Sequence, residues 1–249
     1  MNRIRQEKAK EYIESRNVVT IKELQNLFPE VSLITIHRDL DVLEKEGAVV
    51  KFRGGVRSAR YTGDPEFNMH FSGNHAGKQI IAHKALELIR PYASVFMDAS
   101  TTNLELAKAL PDMNVNIFTT GPGVALELCR LNNPSVTVCC GKLDRKNLAV
   151  SGQNTLEMLE KINIDIAFVD ASGCSVDTGF TCETESDMLV KKLVIEKART
   201  SVIMCGKEKL KCLRPYTFAE FGDVDYLITD SVLPDDFVQA VEKAGVKIL

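Results

Sequence analysis

No cysteine of this chain stands in a C-x-x-C pair. No apolar run approaches the roughly 18 residues needed to cross a bilayer. No apolar segment follows the charged N-terminus in the manner of a secretory leader. A helical membrane anchor and export are therefore not expected, and the chain reads as cytoplasmic. Its seven cysteines (Cys129, Cys139, Cys140, Cys174, Cys182, Cys205 and Cys212) are odd in number and scattered. They read as buried thiols in a reducing compartment rather than as a metal or redox set. Cys139-Cys140 is vicinal in an apparent strand, so the two should point to opposite faces and not bridge. The four histidines (His37, His70, His75 and His83) lack metal-ligand spacing, and no cofactor is expected. No low-complexity tract and no repeat of about 20–50 residues is present.

Charge is short on the positive side overall, with a net of −3, but it is unevenly divided. Residues 1–60 hold 12 Lys/Arg and 9 Asp/Glu, and the remaining 189 hold 19 and 25. A basic head on an acidic body argues against non-specific coating of nucleic acid and against an anionic membrane partner.

The head carries the strongest local signal. Ser32 can cap a helix by accepting from one of its free N–H groups. Leu33, Ile36, Leu40 and Leu43 recur at three- and four-residue spacing and predict one buried face. Ile34, His37, Arg38 and Asp41 fall opposite, with Thr35 and Val42 at the margin. Thr20-Ile21-Lys22-Glu23 is a capping box for a preceding helix with Leu24, Leu27 and Phe28 on its core face, stopped by Pro29. A first helix over about Arg3–Ser15 is expected to bury Ile4, Ala9, Tyr12 and Ile13. Three helices with a short turn make a helix-turn-helix. After Gly47, Val49–Phe52 and Val56–Arg60 flank a Gly54-Gly55 hairpin signal. Lys51, Arg53, Arg57 and Arg60 lie there with no acidic residue between Ala48 and Arg60, which suits a wing laid along phosphates. The candidate DNA contacts are Ser32, Ile34, Thr35, His37 and Arg38 from the helix, and Lys51, Arg53, Gly54 and Arg57 from the wing. The plainer reading is a helical hairpin for oligomerisation with a solvated basic face.

Residues 1 to about 57 closely resemble the winged helix-turn-helix of DeoR-type bacterial transcriptional regulators. That family's Thr-Ile-Arg-Arg-Asp-Leu helix, Leu-Glu pair, Gly and His-Gly-Gly-Ala wing match Thr35–Leu40, Leu43-Glu44, Gly47 and Arg53–Val56. His37 replaces the first Arg, keeping a hydrogen bond but not a fixed charge, so target sequence can differ from relatives.

Residues 58–75 are rich in Gly, Asn and His (Gly63, Pro65, Asn68, Gly73, Asn74) and suit a linker. Over residues 76–249, short continuous apolar strands alternate with helices. The expected strands begin near Ser94, Val115, Val136, Asp165, Ser201, Tyr226 and Val246. The pattern implies an α/β three-layer domain on a mainly parallel sheet. Ligands of such folds bind at the carboxyl ends of the strands. The candidate ligand groups there are Asp98, Ser100, Thr101 and Thr102 after the first strand, and Thr119 and Thr120 after the second. Gly141, Lys142 and Arg145 follow the third, Asp170 the fourth, and Lys209 a later one. Hydroxyls, Gly turns and cations together suggest a small, polar, anionic ligand, although Ser-Thr-Thr is often only a helix cap and Gly-Pro-Gly only a turn.

The DeoR resemblance extends over residues 76–234. Its Asp-Ser-Gly-Thr-Thr loop matches Asp98–Thr102, and its Gly-rich stretch after the third strand matches Cys140-Gly141-Lys142. Its Gly-Leu-Thr and Glu-Ala-x-Val-Lys segments match Gly179–Thr181 and Asp187–Lys191, and its Ile-Thr-Asp matches Ile228–Asp230. The resemblance implies a Rossmann-like domain similar to the ribose-5-phosphate isomerase and glucosamine-6-phosphate deaminase fold, which senses phosphorylated sugars. One segment departs: the family's Leu-Ala-Asp-Ser-Ser-Lys reads Met204-Cys205-Gly206-Lys207-Glu208-Lys209, keeping Lys209 but losing the Asp.

These features predict a sequence-specific transcriptional regulator, a repressor of carbohydrate-metabolism genes, without enzymatic activity. The expected partners are operator DNA, a phosphorylated sugar or related effector, and a second copy of the chain, because two recognition helices must meet half-sites on one DNA face. A rival reading is an active sugar-phosphate isomerase or deaminase fused to a DNA-binding head, with Asp98, Asp170, Glu183 and Lys209 as candidate acid–base groups. A third is a thiol sensor built on Cys139 or Cys140.

Overall fold

A computed structural model describes residues 2–16, 18–52, 54–59 and 74–249. Its chain divides into two compact units, Met1–Gly73 and Asn74–Leu249. Arg53 and Arg60, and most of the expected linker (60–73), lie outside the described residues.

The first unit contains α1 (Asn2–Arg16), β1 (Val18–Thr20), α2 (Ile21–Leu27), α3 (Leu33–Lys45), β2 (Val49–Phe52) and β3 (Gly55–Ser58). Both halves of the capping box at Thr20 form: Glu23 N–H donates to Thr20 Oγ1, and Thr20 N–H donates to Glu23 Oε2. Ala9, Ile13, Leu24, Phe28, Ile36, Leu40 and Leu43 close over Val19, Val49 and Val56 in one core. Two expectations fail. Ile4 is 76% exposed and Leu33 44% exposed; each sits in the first turn of its helix, where helical periodicity continues but the core does not. The wing also has a third strand: β1 pairs antiparallel with β3, setting Val19 opposite Val56, while β2 pairs with β3 on its other edge. At the hairpin, Gly54 adopts a φ of 90°. A Cβ at Gly55 would lie 2.7 Å from the Phe52 ring.

The second unit begins with α4 (His75–Leu86) and then alternates. Its elements are β4 (Ser94–Met97), α5 (Thr101–Ala109), β5 (Asn116–Thr119), α6 (Pro122–Leu128) and β6 (Ser135–Val138). The hairpin β7 (Lys142–Asp144) and β8 (Ala149–Ser151) follows, then α7 (Gln153–Leu159) and β9 (Ile166–Asp170). Next come β10 (Gly173–Ser175), β11 (Gly179–Cys182), α8 (Glu185–Lys197) and β12 (Thr200–Met204). The chain ends with β13 (Tyr216–Ala219), β14 (Tyr226–Ile228), α9 (Asp235–Lys243) and β15 (Lys247–Ile248). Seven strands form one sheet in the order β15-β14-β12-β9-β4-β5-β6, and every pairing in it is parallel. Val95, Phe96, Met97 and all of β9 are buried, as continuous apolar strands covered on both faces should be.

The strand order runs outward from β4 in both directions. Because crossovers between parallel strands are right-handed, opposite directions put their helices on opposite faces. The contacts agree: α4 packs on α5 and α5 on α6, whereas α7 packs on α8. The order reverses between β4 and β9, and there the carboxyl ends carry Asp98 and Asp170. In open α/β sheets that switch point is the usual ligand crevice.

The small sheet β10-β11-β13 was not expected. It stacks Phe180 beside Phe218 and against Phe221. Cys139 and Cys140 follow β6 rather than lying in it; Cys139 is buried and Cys140 exposed. Cys174, Cys182 and Cys205 are also buried, but Cys129 is exposed.

Candidate functional site

In the first unit, the capped start of α3 presents a continuous polar and branched face. Thr35 N–H donates to Ser32 Oγ at 3.3 Å, and the two hydroxyls are 3.0 Å apart. Ser32, His37 and Arg38 are exposed, Ile34 is 67% exposed, and Thr35 is half-buried. Asp39 turns the other way: its carboxylate accepts from Arg5 Nε at 2.5 Å and from Gln6 Nε2 at 2.9 Å. The helix is thereby anchored on α1 by the residue adjacent to Arg38.

The wing lysine lies differently from the expectation of a phosphate contact. Lys51 Nζ pairs with Asp41 and stands 3.6 Å from Glu44 Oε2, and its N–H donates to Glu44 Oε1 at 2.8 Å. The hydrogen bond that Lys51 Nζ donates to Asp41, with both carboxylates nearby, holds the Lys51 ammonium above its ordinary pKa. Lys51 therefore ties the wing to α3. Arg57, half-buried on β3, donates to the Ser58 carbonyl at 3.4 Å.

In the second unit, three of the expected ligand residues, Lys209, Thr102 and Asp98, converge around a fourth, Asp170. Lys209 Nζ donates to both its oxygens, at 2.8 and 2.7 Å, and Thr102 Oγ1 donates to Oδ1 at 2.7 Å. Asp98 lies beside it but is a buried strut rather than an open ligand group. Asp98 Oδ1 accepts from Ser100 N–H and Asn103 Nδ2, and Oδ2 accepts from Asp170 N–H at 2.8 Å. Burial drives the Asp98 carboxyl above the usual carboxylate range, with Lys191 opposing. Of the three carboxylates proposed for acid–base work, Asp98 and Asp170 are thus committed to internal partners, and Glu183 Oε1 lies 3.8 Å from Arg214 Nε.

Ser100 caps α5 by accepting from Asn103 N–H at 3.1 Å, and half-exposed Thr101 is the first residue of that helix. The favourable dipole of that helix start faces the same strand end. Thr119 is buried and folds back to accept from Gly121 N–H, and Thr120 is buried with its carbonyl taken by Val150 N–H. Gly141 acts through shape: a Cβ there would collide with Thr155 Oγ1. Lys142 and Arg145 are exposed on the β7–β8 hairpin and form no ion pair among the described residues.

Two buried lysines escaped the sequence reading. Lys191 donates to the Asp170 carbonyl at 2.7 Å, pairs with Asp187 at 2.8 Å and lies 3.7 Å from Asp98. Burial favours its neutral amine, but Asp187, Asp98 and Asp170 outweigh that and hold its pKa above the lysine norm. Its position at the end of the Asp187–Lys191 segment was the available signal. Lys78, on α4, is 6% exposed. Burial first, and the Lys209 charge second, push its pKa down to about 8, against Asp170, Glu208 and Glu105. Nothing in the local sequence marks Lys78 as buried, because lysines near a helix start ordinarily face water.

Comparison with known proteins matches residues 5–62 to the DeoR-like helix-turn-helix domain and residues 73–231 to the DeoR C terminal sensor domain. The chain is 33% identical to the uncharacterised HTH-type transcriptional regulator YulB of Bacillus subtilis, over 98% of this chain and 95% of that one. It is 27% identical to the HTH-type transcriptional repressor GlcR of Bacillus subtilis, over 96% of this chain and 92% of that one. Among solved structures, ribose 5-phosphate isomerase A of Methanocaldococcus jannaschii overlaps 55% of each chain, with a TM-score of 0.41 and 16% identity. Two domain matches in the family's order, and a relative alignable end to end, lead to one assignment: the chain belongs to the DeoR family of helix-turn-helix transcriptional regulators.

Proposed function

We propose that this regulator is a repressor whose second unit binds a phosphorylated sugar or sugar-derived metabolite and, when occupied, releases operator DNA. The observation that carries the ligand reading is the meeting of Lys209, Asp170 and Thr102 at the β4–β9 switch point, beside the start of α5, with the buried Lys78 ammonium within electrostatic reach. A dianion leaving water needs several donors at once. Two ammonium groups, the Thr101 and Ser100 hydroxyls and the favourable dipole of a helix start supply them. Asp98 and Lys191 serve as the frame that holds Asp170 and α5 in place. Lys142 and Arg145, on the neighbouring hairpin, can add charge at the rim.

The repressor sign is supported by GlcR, named a transcriptional repressor. Ser32, Ile34, Thr35, His37 and Arg38 would enter the major groove, with Arg53, Gly54 and Arg57 along the backbone. Two copies are needed to present two such helices to adjacent half-sites. The ligand acts only through its different affinity for DNA-bound and free protein.

The test is a thermal-shift screen of phosphorylated metabolites, followed by operator release with each hit. A concentration-dependent rise in melting temperature is expected for a sugar phosphate. No response to any phosphorylated sugar would remove the reading.

A further inference from the structure

The segment that departs from the family pattern has a structural counterpart. Gly206 lacks a side chain, and the space where its Cβ would stand is occupied by the Glu208 carboxylate: Oε1 would be 2.6 Å away and Oε2 2.7 Å. The carboxylate is held there by Asn74 Nδ2, which donates to Glu208 Oε2 at 2.6 Å and to Asp230 Oδ2 at 3.0 Å. Asp230 in turn accepts from Lys207 N–H at 2.7 Å. A carboxylate therefore stands beside position 206, where the resembled pattern has an Asp, delivered from two residues later.

Its surroundings give it a consequence. Glu208 acts electrostatically on both Lys78 and Lys209. Asp170 already covers Lys209 with both oxygens. Two ammonium groups thus lie within the field of Asp170 and Glu208, with Glu105 also acting on Lys78, and Glu208 is the exposed carboxylate of the three. A bare phosphate entering this group meets a fixed negative charge. A ligand that carries hydroxyls next to its phosphate can donate them to the same carboxylate and turn that repulsion into charge-assisted hydrogen bonds. Discrimination of this kind comes as much from the disfavoured ligand as from the favoured one.

We propose that Glu208, seated in the space left by Gly206, is a specificity-determining residue: it selects polyol phosphates and rejects inorganic phosphate. The inference rests on the ligand site proposed above, but adds a residue that site does not otherwise require.

The experiment compares glucose 6-phosphate, fructose 6-phosphate and inorganic phosphate by calorimetry on the full-length protein, for wild type, Glu208→Gln and Gly206→Ala. Glu208→Gln keeps shape and an acceptor for Asn74 but removes the charge. Gly206→Ala keeps the charge but evicts the carboxylate; the obstructing atoms end a flexible side chain, and Gly206, at φ −68° and ψ 152°, accepts alanine. Wild type should prefer a sugar phosphate over inorganic phosphate. Both variants should bind inorganic phosphate about tenfold more tightly and narrow that preference by a similar factor, equivalent to about 1.4 kcal/mol. Circular dichroism verifies folding of each. If wild type binds a sugar phosphate and both variants keep its preference unchanged, Glu208 has no such role while the ligand site stands. If wild type binds none of the three and Lys209→Met behaves the same, the ligand site itself falls, and this inference with it.

Discussion

Arg5 on α1 and Asp39 on α3 meet at 2.5 Å, directly behind the exposed Arg38. Adjacent residues on one helix are thereby divided between an internal anchor and an exposed side chain proposed to read DNA. Arg38→Ala should weaken operator binding by about 1–3 kcal/mol if it contacts a base, without lowering the melting temperature. Asp39→Ala should lower both, costing roughly 1–3 kcal/mol of stability because Arg5 and Gln6 lose their acceptor. Gel-shift titration and thermal unfolding of the two variants distinguish them. Equal operator affinity for Arg38→Ala and wild type would remove α3 as the reading helix.

The wing should separate Arg57 from Lys51. Each phosphate contact contributes roughly one unit to the slope of log affinity against log salt. Arg57→Gln should reduce that slope by about one unit, for specific and non-specific DNA alike. Lys51→Gln should reduce it by much less, because Asp41 and Glu44 already match its charge. Equal slope losses in the two variants would mean that Lys51 leaves α3 to bind DNA.

Lys191 should be a stability residue. Removing one partner of a buried ion pair leaves the other charge uncompensated, at a cost of about 3–5 kcal/mol. Lys191→Met strands Asp98 and Asp187 in this way, so a large fall in melting temperature of the second unit is expected. Unfolding at wild-type temperature would show that the Asp98–Lys191–Asp187 frame does not hold the site.

Much of this molecule was legible because local rules and tertiary packing agree in it. The Thr20 and Ser32 caps, the α3 face and the strand–helix alternation follow from short-range spacing. Ile4 and Leu33 did not, because periodicity cannot say where a core ends along a helix. The sheet β10-β11-β13 escaped because its strands are three or four residues long and gain their partners across long separations. Lys78 and Lys191 escaped for a stronger reason. Their burial is tolerable only where carboxylates from distant segments converge, Asp98 and Asp170 for Lys191, and beyond the Asp187–Lys191 spacing on one helix the sequence carries no trace of that convergence. Asp98 was read as a ligand group, but whether it faces a ligand or the frame depends on Asn103, Ser100 and the Asp170 amide.

Lys78 should give ligand binding a pH dependence. Its folded pKa, about 8, lies below the ordinary 10.5. An anion favours its protonated form, so affinity should be highest below pH 8 and fall as pH rises through it. A phosphate monoester, with its second pKa near 6, is already dianionic across this window. For folding alone the sign is opposite: between about pH 8 and 10.5 the unfolded chain holds the extra proton, so stability rises with pH. Calorimetry of a sugar phosphate from pH 7 to 9 should show weakening in wild type and a flatter profile in Lys78→Met. Equal pH profiles would place Lys78 outside the site.

The central claim is that ligand occupancy at the β4–β9 switch point controls DNA binding. The direct measurement is release of operator DNA by a sugar phosphate identified in the screen, for wild type, Thr101→Val and Lys209→Met. Thr101→Val removes a hydroxyl at nearly constant volume, and Lys209→Met removes a cation. Each should bind operator as wild type does. Thr101→Val should need roughly 10- to 100-fold more ligand for release, the equivalent of one charged hydrogen bond of about 1.5–3 kcal/mol, and Lys209→Met more still. Release at wild-type ligand concentrations in both variants would contradict the account and place the ligand elsewhere.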